Sequence, residues 1–442
     1  MTLLERLGLH RRELRAWALY DWANSGFMTV VVTAVFPIYF ASVAAAGLPK
    51  AEASYRFSLA TSLGLAIVAV LSPVLGTIAD VVPWKKRFLA LFLALGVSTT
   101  ALMATIGEGM WARALVLFVL ANIGLNGAFV FYDSLLPHLA SDDEVDRVST
   151  AGYALGYIGG GVLLAAALAI ILKPGLVGLP EGDAAVGAAR TLPVRTAFLA
   201  TAAWWLVFAV PLFLVVPEPP AAAAPEVAAA GRPGVADAFR RVLALFRELR
   251  AFPNAVLLLL AALIYGDGIS TIIRLATVYG TEIGIPQDIQ IAAIVVVQFV
   301  GVPCSFLFGG AAAVFGTRGA ILLGLVAYLG ISLLGYFMTT ASHFLALAAL
   351  VGVVQGGTQA LTRSLFASLI PKQKSGEFFG VFAVFERFGA ILGPLVFAAA
   401  LRFTGSSRTG VLAIGSFFLI GGALLLRVKV EEGRRAARAA ER

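Results

Sequence analysis

Residues 57–87 read FSLATSLGLAIVAVLSPVLGTIADVVPWKKR, and this stretch decides the fold class. Its first charged side chain is Asp80, so the apolar run before it reaches the ~20 residues that an α-helix needs to cross a bilayer. The stretch ends in the basic cluster Lys85-Lys86-Arg87. A long apolar run followed by Lys and Arg is typical of a transmembrane helix that ends at the inner face of a membrane.

The composition of the whole chain agrees with this interpretation. Of 442 residues, 60% are hydrophobic and 13% are charged, whereas soluble domains carry roughly 25% charged residues. Because so few charges cannot cover a water-exposed surface, the composition excludes a soluble globular protein and a disordered chain. The single cysteine, Cys304, excludes an internal disulfide and a cysteine-based zinc site. We therefore expect an all-α polytopic membrane protein.

Apolar runs between charged, Gly or Pro residues predict twelve transmembrane helices. Numbered as spans 1 to 12, they cover residues 17–46, 57–81, 88–107, 111–138, 150–172, 196–216, 254–281, 287–315, 319–339, 343–370, 377–401 and 409–427. Lys and Arg concentrate in the two tails, at 85–87 and in the central loop. The positive-inside rule therefore predicts cytoplasmic termini and a multi-pass protein of the cytoplasmic (inner) membrane.

The chain divides into four predicted segments. Two six-helix halves cover residues 1–216 and 254–428, a cytoplasmic linker covers 217–253, and a basic cytoplasmic tail covers 429–442. Within the linker, 235–250 has one apolar face and arginines elsewhere, which predicts an amphipathic helix on an anionic inner leaflet. Because these arginines flank spans, a nucleic-acid partner is not expected.

The two halves repeat each other in sequence. Tyr20-Asp21 in span 1 corresponds to Tyr265-Gly266-Asp267 in span 7, and Asp133 in span 4 corresponds to Arg363 in span 10. Two sets of six spans joined by a long central loop are typical of secondary transporters built from parallel repeats.

This layout resembles the major facilitator superfamily. The family motif after span 2 is matched by Gly76, Asp80 and the basic cluster at 85–87, while Pro83 stands where the family has a second glycine. The resemblance implies the major facilitator fold, with twelve transmembrane helices in two six-helix pseudo-repeat halves. It also implies a conformational latch at Asp80.

A narrower resemblance covers the chain from its first span. The segments 16–27 (AWALYDWANSGF), 36–40 (FPIYF), 149–161 (STAGYALGYIGGG), 355–360 (QGGTQA) and 378–380 (FFG) resemble the bacterial "unknown major facilitator" family. That family is similar to the fungal vacuolar amino-acid effluxers linked to autophagy. The resemblance implies transport and, by analogy, efflux of amino acids or similar metabolites.

Polar residues inside spans predict the substrate site, because a charge in a span costs several kcal/mol unless it is paired or hydrated. The planar guanidinium of Arg274 suits a carboxylate, and Asp267 or Asp21 would bind an ammonium group. Plain structural pairing at the cytoplasmic end is the alternative for Asp21, and interhelical hydrogen bonding is the alternative for the amides. The predicted substrate-binding residues are Asp21, Asn24, Asn126, Asp267, Arg274, Gln355 and Gln359.

Charged residues near the inner ends of spans predict a cytoplasmic gate. Asp133 and Arg363 occupy equivalent positions in the two halves, and Asp80 precedes a basic cluster. Glu386 and Arg387 are adjacent and point about 100° apart on a helix, so one of them can face a central cavity. The predicted gating and ion-pair residues are Asp80, Lys85, Lys86, Arg87, Asp133, Arg363, Glu386 and Arg387.

These features together predict a secondary active transporter. It would move a small polar metabolite, with amino acids as the first candidate, by alternating access between the halves. Protons are a candidate coupling ion, because burial raises the pKa of a carboxyl group. A multidrug or sugar-phosphate exporter of the same fold is the alternative, and a non-transporting membrane sensor is the alternative from another class. We expect no enzymatic activity, catalytic residue, metal or cofactor, and a monomer in the lipid bilayer.

Overall fold

The computed structural model describes residues 2–81, 83–181, 187–220, 248–388 and 392–441. Ten of its helices are long and apolar enough to cross a membrane. One of the ten contains both span 8 and span 9, and span 11 is described as two shorter helices, so the predicted twelve spans are confirmed. The predicted amphipathic helix at 235–250 begins outside the described residues.

The spans have the following bounds. Span 1 runs from Arg12 to Ala44, and spans 2 to 6 cover Lys50–Val81, Lys85–Leu102, Trp111–Leu139, Val145–Leu172 and Leu192–Val215. Span 7 is Pro253–Glu282, spans 8 and 9 together are Gln287–Tyr336, and span 10 is Ala341–Ser368. Span 11 comprises Ser375–Phe388 and Leu392–Thr404, and span 12 is Ser407–Leu426. A short helix at Leu3–Arg6 precedes span 1, and a C-terminal helix follows at Val430–Ala439.

The turn between spans 8 and 9 is a single backbone feature. Gly316 has φ +72° and ψ 155° inside an otherwise helical segment. Only glycine adopts such a positive φ without strain, so the helix direction changes there. The predicted boundary between the two spans, at 315–319, is confirmed.

Span 1 is irregular along its middle and far end. Its regular helix Arg12–Phe27 passes into a π-helical segment at Met28–Val35, and a second π-helical segment covers Phe40–Ala44. π-Helical turns are rare and often mark functional positions in helices. Pro37, which has no N–H to donate, lies between the two segments.

Large apolar side chains cover the outside of the bundle. Leu63, Val70, Leu307 and Leu419 are each more than half exposed. Exposed apolar residues spread around the spans would be unfavourable in water, and they match a surface that contacts lipid chains. The core between the spans is aromatic, as in the stacked pair Phe36 and Phe118, whose ring centroids are 4.5 Å apart.

Both chain ends lie on one face of the bundle, which we call the terminal face. Arg11, just before span 1, and His10 both pair with Glu144 in the loop between spans 4 and 5. Arg438 of the C-terminal helix pairs with Asp142 in the same loop. The ends of spans 2, 4, 6, 8, 10 and 12 therefore lie on this face.

Glycines allow the first six and last six spans to meet closely near the terminal face. A Cβ added at Gly76 of span 2 would lie 2.1 Å from the carbonyl oxygen of Gly376 in span 11. A Cβ at Gly380 would lie 2.6 Å from the carbonyl oxygen of Ser72. Spans 2 and 11 are thus in backbone contact, which any larger residue at these positions would prevent.

Candidate functional site

A buried charge network joins three spans near the terminal face. In it, Arg363 of span 10 lies between Asp21 of span 1 and Asp133 of span 4. Its Nη2 is 3.3 Å from the Oδ2 of Asp21, and its Nη1 is 3.1 Å from the Oδ1 of Asp133. The three residues are 3%, 5% and 8% exposed. One guanidinium therefore compensates two carboxylates in a site that water barely reaches.

Further hydrogen bonds fix the guanidinium in place. Arg363 donates through Nε to the hydroxyl of Ser149 at 2.9 Å and through Nη2 to the carbonyl oxygen of Ser149 at 3.1 Å. The same hydroxyl donates to the carbonyl oxygen of Ala360 at 2.7 Å. Asp21 also accepts the hydroxyl of Tyr132 at 2.8 Å. Because the guanidinium is a planar fork with five N–H donors, it can hold all these partners at once.

Aromatic rings enclose this network. The guanidinium carbon of Arg363 lies 4.8 Å from the ring centroid of Trp17 and 4.7 Å from that of Tyr153. The indole N–H of Trp17 donates to the carbonyl oxygen of Tyr132 at 3.1 Å. These rings add cation–π attraction and keep out water. The result is a plug in which every charged group has a partner from another span.

Gly152 of span 5 leaves the space that the plug needs. A Cβ there would lie 2.4 Å from the Oδ2 of Asp21 and 3.2 Å from the Nη2 of Arg363. A glycine is therefore needed at this position of the glycine-rich stretch 149–161, since any side chain would push the carboxylate of Asp21 away from Arg363.

A second buried network joins the ends of spans 2 and 11. The carboxylate of Asp80 accepts the backbone N–H groups of Gly376 at 3.0 Å and Glu377 at 2.7 Å. These residues form the first turn of span 11, where backbone N–H groups lack helical partners and an anion is favoured. The ammonium of Lys85 is 2.7 Å from Asp80 and donates to the hydroxyl of Ser375 at 2.8 Å.

The structure separates the three basic residues that the sequence grouped with Asp80. Lys85 makes the ion pair. Lys86 donates instead to the carbonyl oxygens of Phe213 and Val216, at 2.9 and 2.6 Å, at the end of span 6. The guanidinium carbon of Arg87 lies 5.2 Å from the ring centroid of Trp84. Among the described residues Lys85 alone pairs with Asp80, because successive residues at a helix start point in different directions. The gating role of the three basic residues stays a prediction.

A third network, which the sequence analysis missed, joins spans 5, 9 and 10. Asp146 accepts the hydroxyls of Ser364 and Thr317, each at 2.5 Å. Its place in a charged loop, DDEVDR at 142–147, hid its role. The available signal was its position three residues before Ser149, which puts both side chains on one helix face.

The predicted substrate-binding residues differ in whether they contact other parts of the protein. Arg274 is exposed, Gln355 and Gln359 are half-buried, and none of the three makes a hydrogen bond or ion pair with any residue the structure describes. Asn126 donates to the carbonyl oxygen of Asn122 at 2.7 Å, which uses part of its amide within its own helix. Asn24 is fully buried, and both of its amide atoms are without a partner in the described part of the chain.

Asp267 of span 7 has protein partners of its own. It accepts the backbone N–H of Gly393 at 2.8 Å and the hydroxyl of Thr271 at 3.3 Å. Gly393 belongs to the first turn of the helix Leu392–Thr404, so Asp267 meets the second part of span 11 as Asp80 meets the first part. Glu386 is exposed, and the side chain of Arg387 lies outside the described positions.

One polar contact between the halves lies deep in the bundle. The amide of Gln298 in span 8 donates to the hydroxyl of Thr29 at 2.7 Å. Thr29 belongs to the π-helical segment of span 1. Neither residue was predicted, because an uncharged polar side chain in a span is common and gives little signal.

The fold places the chain in a known class of protein. Its structure resembles that of the FucP transporter of the major facilitator superfamily, solved in the outward conformation, with a TM-score of 0.69, 13% identity, and coverage of 96% of this chain and 99% of that one. It also resembles a bacterial homologue of the iron transporter ferroportin, with a TM-score of 0.63, 14% identity, and coverage of 95% and 99%. The protein has the fold of a major facilitator transporter.

Sequence comparison narrows the class to one family. The family model described as "Vacuole effluxer Atg22 like" matches residues 9–438, and the chain belongs to this family. An "Uncharacterized MFS-type transporter YxiO" of Bacillus subtilis (strain 168) is 36% identical over 421 residues, 95% of each chain. The "Autophagy-related protein 22" of Yarrowia lipolytica is 25% identical over 322 residues, 66% of this chain and 51% of that one. The expected family is confirmed, and the chain is a transporter rather than an enzyme.

Proposed function

We propose that this transporter moves a small zwitterionic metabolite, with amino acids as the first candidate, by alternating access between its two six-span halves. The terminal face would be cytoplasmic, and the conformation described above would be the one closed toward the cytoplasm. The observation that carries the proposal is the buried pairing of Arg363 with Asp21 and Asp133 across the halves.

The closure is argued from where the contacts between the halves lie. The networks of Asp80, Arg363 and Asp146 all lie at the terminal-face ends of their spans. At the opposite face, the hydrogen bonds among the described residues stay within one half, as from Arg195 to Ala104 and from Ser407 to Glu282. A bundle held together at one end can open at the other, which is the geometry that alternating access requires.

The substrate class is inferred from polar side chains that make no direct hydrogen bond or ion-pair contact with the described residues. A guanidinium inside a span is costly unless something binds or hydrates it. Among the described residues Arg274 has an electrostatic attraction to Asp267 but no hydrogen bond or ion-pair contact. A substrate carboxylate would fit it in a bidentate manner. Gln355 and Gln359 offer donors and acceptors to an uncharged polar part of the same molecule. The Atg22 relatives, named as vacuole effluxers in the family description, agree with export of a metabolite.

Coupling to protons is the second part of the proposal. The plug has two carboxylates and one guanidinium. If Asp21 or Asp133 binds a proton, the other carboxylate and the guanidinium of Arg363 form an ion pair with no net charge. Opening the plug separates Arg363 from both acids, and a carboxylate that loses its cation in a low-dielectric site favours the protonated form. Proton binding and opening toward the terminal face would thus be linked.

Uptake into proteoliposomes tests the proposal. The purified protein is reconstituted, and the vesicles are assayed for counterflow of each labelled amino acid and, in parallel, of a lipophilic cation and a sugar phosphate. We expect saturable counterflow of one amino-acid class, which Arg274→Gln reduces at least roughly tenfold. Arg402→Gln, which removes an exposed arginine at the end of span 11, serves as the matched control and leaves it unchanged.

Counterflow of the lipophilic cation or the sugar phosphate, with none for any amino acid, would replace the substrate class and keep the transporter. Wild-type counterflow in correctly inserted Arg274→Gln protein would remove Arg274 from the substrate site.

A further inference from the structure

A cavity on the terminal face lies outside the three buried networks and is lined by two arginines. It is about 340 Å³ in volume and is formed by the start of span 1, span 5 and the end of span 6. Leu9, Arg12, Arg15, Ala16, Leu19, Leu155, Pro211 and Val215 line it. The cavity is open to its surroundings rather than enclosed.

The cavity has a charged mouth and an apolar floor. Arg12 is the first residue of span 1, and Arg15 lies one turn further, so both guanidinium groups belong to the same helix face. Leu19 lies seven residues beyond Arg12, which is roughly 10 Å deeper along the helix axis. Pro211 lies about 6 Å before the end of span 6, and Leu155 about 15 Å beyond the start of span 5. Polarity thus falls from the terminal face toward the bilayer interior.

Neither arginine is paired within the part of the chain that the structure describes. Arg12 and Arg15 are exposed, and their side chains make no hydrogen bond or ion pair with any residue that the structure describes. Neighbouring Arg11 differs, since it pairs with Glu144 and donates to the carbonyl oxygen of Leu139 at 2.5 Å. Two unpaired guanidinium groups one turn apart attract an anion, and a phosphate ester is the anion found at the surface of a bilayer.

We propose that this cavity is a binding site for one anionic phospholipid, whose phosphate lies between Arg12 and Arg15 and whose acyl chains lie against Leu19, Leu155 and Pro211. A soluble anion would satisfy the arginines and leave the apolar floor in water. A zwitterionic lipid would cover the floor and bring its own cation toward two others. An anionic phospholipid matches both the arginines at the terminal face and the apolar residues that lie deeper in the bilayer.

The site concerns the start of the helix that carries Asp21. Arg12, Arg15 and Asp21 belong to one uninterrupted helix, Arg12–Phe27. A lipid that bridges spans 1, 5 and 6 would hold these three spans together as one unit. The inference is independent of the substrate, because no residue of the cavity belongs to the networks or to the predicted substrate set.

Native mass spectrometry of the delipidated full chain in a neutral detergent tests the site. The probes are phosphatidylglycerol, phosphatidylcholine with the same acyl chains, and glycerol phosphate without chains. We expect one phosphatidylglycerol to be retained in preference to phosphatidylcholine, with no binding of glycerol phosphate at the same concentration. The double variant Arg12→Gln, Arg15→Gln should weaken retention at least roughly tenfold.

Two further variants separate the effect of charge from effects on folding and from the loss of any exposed arginine. Arg12→Lys with Arg15→Lys keeps the charges and should retain most of the affinity, which separates charge from folding. Arg427→Gln removes an exposed arginine at the end of span 12, also on the terminal face, and should leave retention unchanged. Equal retention of the two lipids, equal binding of glycerol phosphate, or full retention by the glutamine double variant would each overturn the proposal.

Discussion

The carboxylate of Asp80 in span 2 accepts the backbone N–H of Gly376 in span 11 at 3.0 Å. An acidic side chain of one half thus caps the first turn of a helix in the other half. The bond needs no side chain from Gly376, and a Cβ there would lie 2.8 Å from the Oδ1 of Asp80. Contact between the halves at this point therefore depends on a carboxylate from one half and on the backbone N–H groups at a helix start in the other.

Asp80→Asn should favour the conformation open at the terminal face. The amide keeps the size of the side chain and removes its charge, which leaves the buried ammonium of Lys85 without a counter-ion. Breaking a buried ion pair in this way costs ~3–5 kcal/mol, and opening would relieve that cost by hydrating Lys85.

The opening is measured by thiol labelling. Cys304→Ser removes the native thiol, and Ala360→Cys places one in span 10 at a position that is fully buried in this structure. We expect faster reaction with a polar maleimide in the Asp80→Asn protein. Glu108→Gln, which removes an exposed acid at the opposite face, is the control. Equal labelling rates in both proteins would contradict the role given to Asp80.

The pairing of Arg363 with Asp133 should appear as strong coupling in a double-mutant cycle. Arg363→Gln leaves two buried carboxylates with no cation, so we expect a loss of about 3–5 kcal/mol in stability. Asp133→Asn leaves the guanidinium with Asp21 and should cost less. In the double variant one buried carboxylate remains. The loss in stability of the double variant should therefore be smaller than the sum of the losses of the two single variants.

Thermal unfolding of the detergent-solubilised proteins gives the comparison. If the decrease in melting temperature of the double variant equals the sum of the decreases of the two single variants, the two residues do not depend on each other. Arg363→Lys adds a second check, because a lysine keeps the charge and lacks the fork that reaches both acids and Ser149. We expect it to be intermediate.

Gly152→Ala should weaken the plug although it adds a single methyl group. Its Cβ would lie 2.4 Å from the Oδ2 of Asp21, closer than real Cβ contacts, so the carboxylate must move away from Arg363. We expect a lower melting temperature, with a loss of about 1–3 kcal/mol from overpacking.

Gly266→Ala in span 7 is the matched control for this change. A Cβ at Gly266 meets nothing within 4 Å, and alanine is the better helix former by about 1 kcal/mol. The control should therefore be neutral or slightly more stable. If Gly152→Ala is as stable as Gly266→Ala, the packing of span 5 against the plug is looser than the distances imply.

Arg438→Gln in the C-terminal helix should have little effect. Arg438 pairs with Asp142 across the terminal face, but the arginine side chain is 61% exposed. Exposed ion pairs contribute little because water and salt screen them. We expect unchanged melting and unchanged labelling of Ala360→Cys at physiological salt. A shift as large as that of Asp80→Asn would make the C-terminal helix a principal element of the closure.

The sequence by itself determined the fold class and the number of spans, and it placed most span ends within about five residues, although span 2 begins at Lys50. Span length follows from the thickness of the bilayer, and an apolar run must form a helix there because no water can satisfy its backbone. The turn at Gly316 was therefore predictable within a few residues. Asp21, Asp133 and Arg363 were predictable as special positions for the same reason, since each charge lies in a run of apolar residues.

Tertiary structure alone decided which of these charges are partners. Asp21 and Arg363 are separated by most of the chain, and nothing in their local sequence specifies that they meet. The same holds for Asp146, which looked like a loop residue, and for Lys86, whose ammonium binds the end of span 6 instead of Asp80. Pairing depends on helix rotation and depth, and a turn of 100° per residue moves a side chain from one neighbour to another. Only the packed bundle sets those angles.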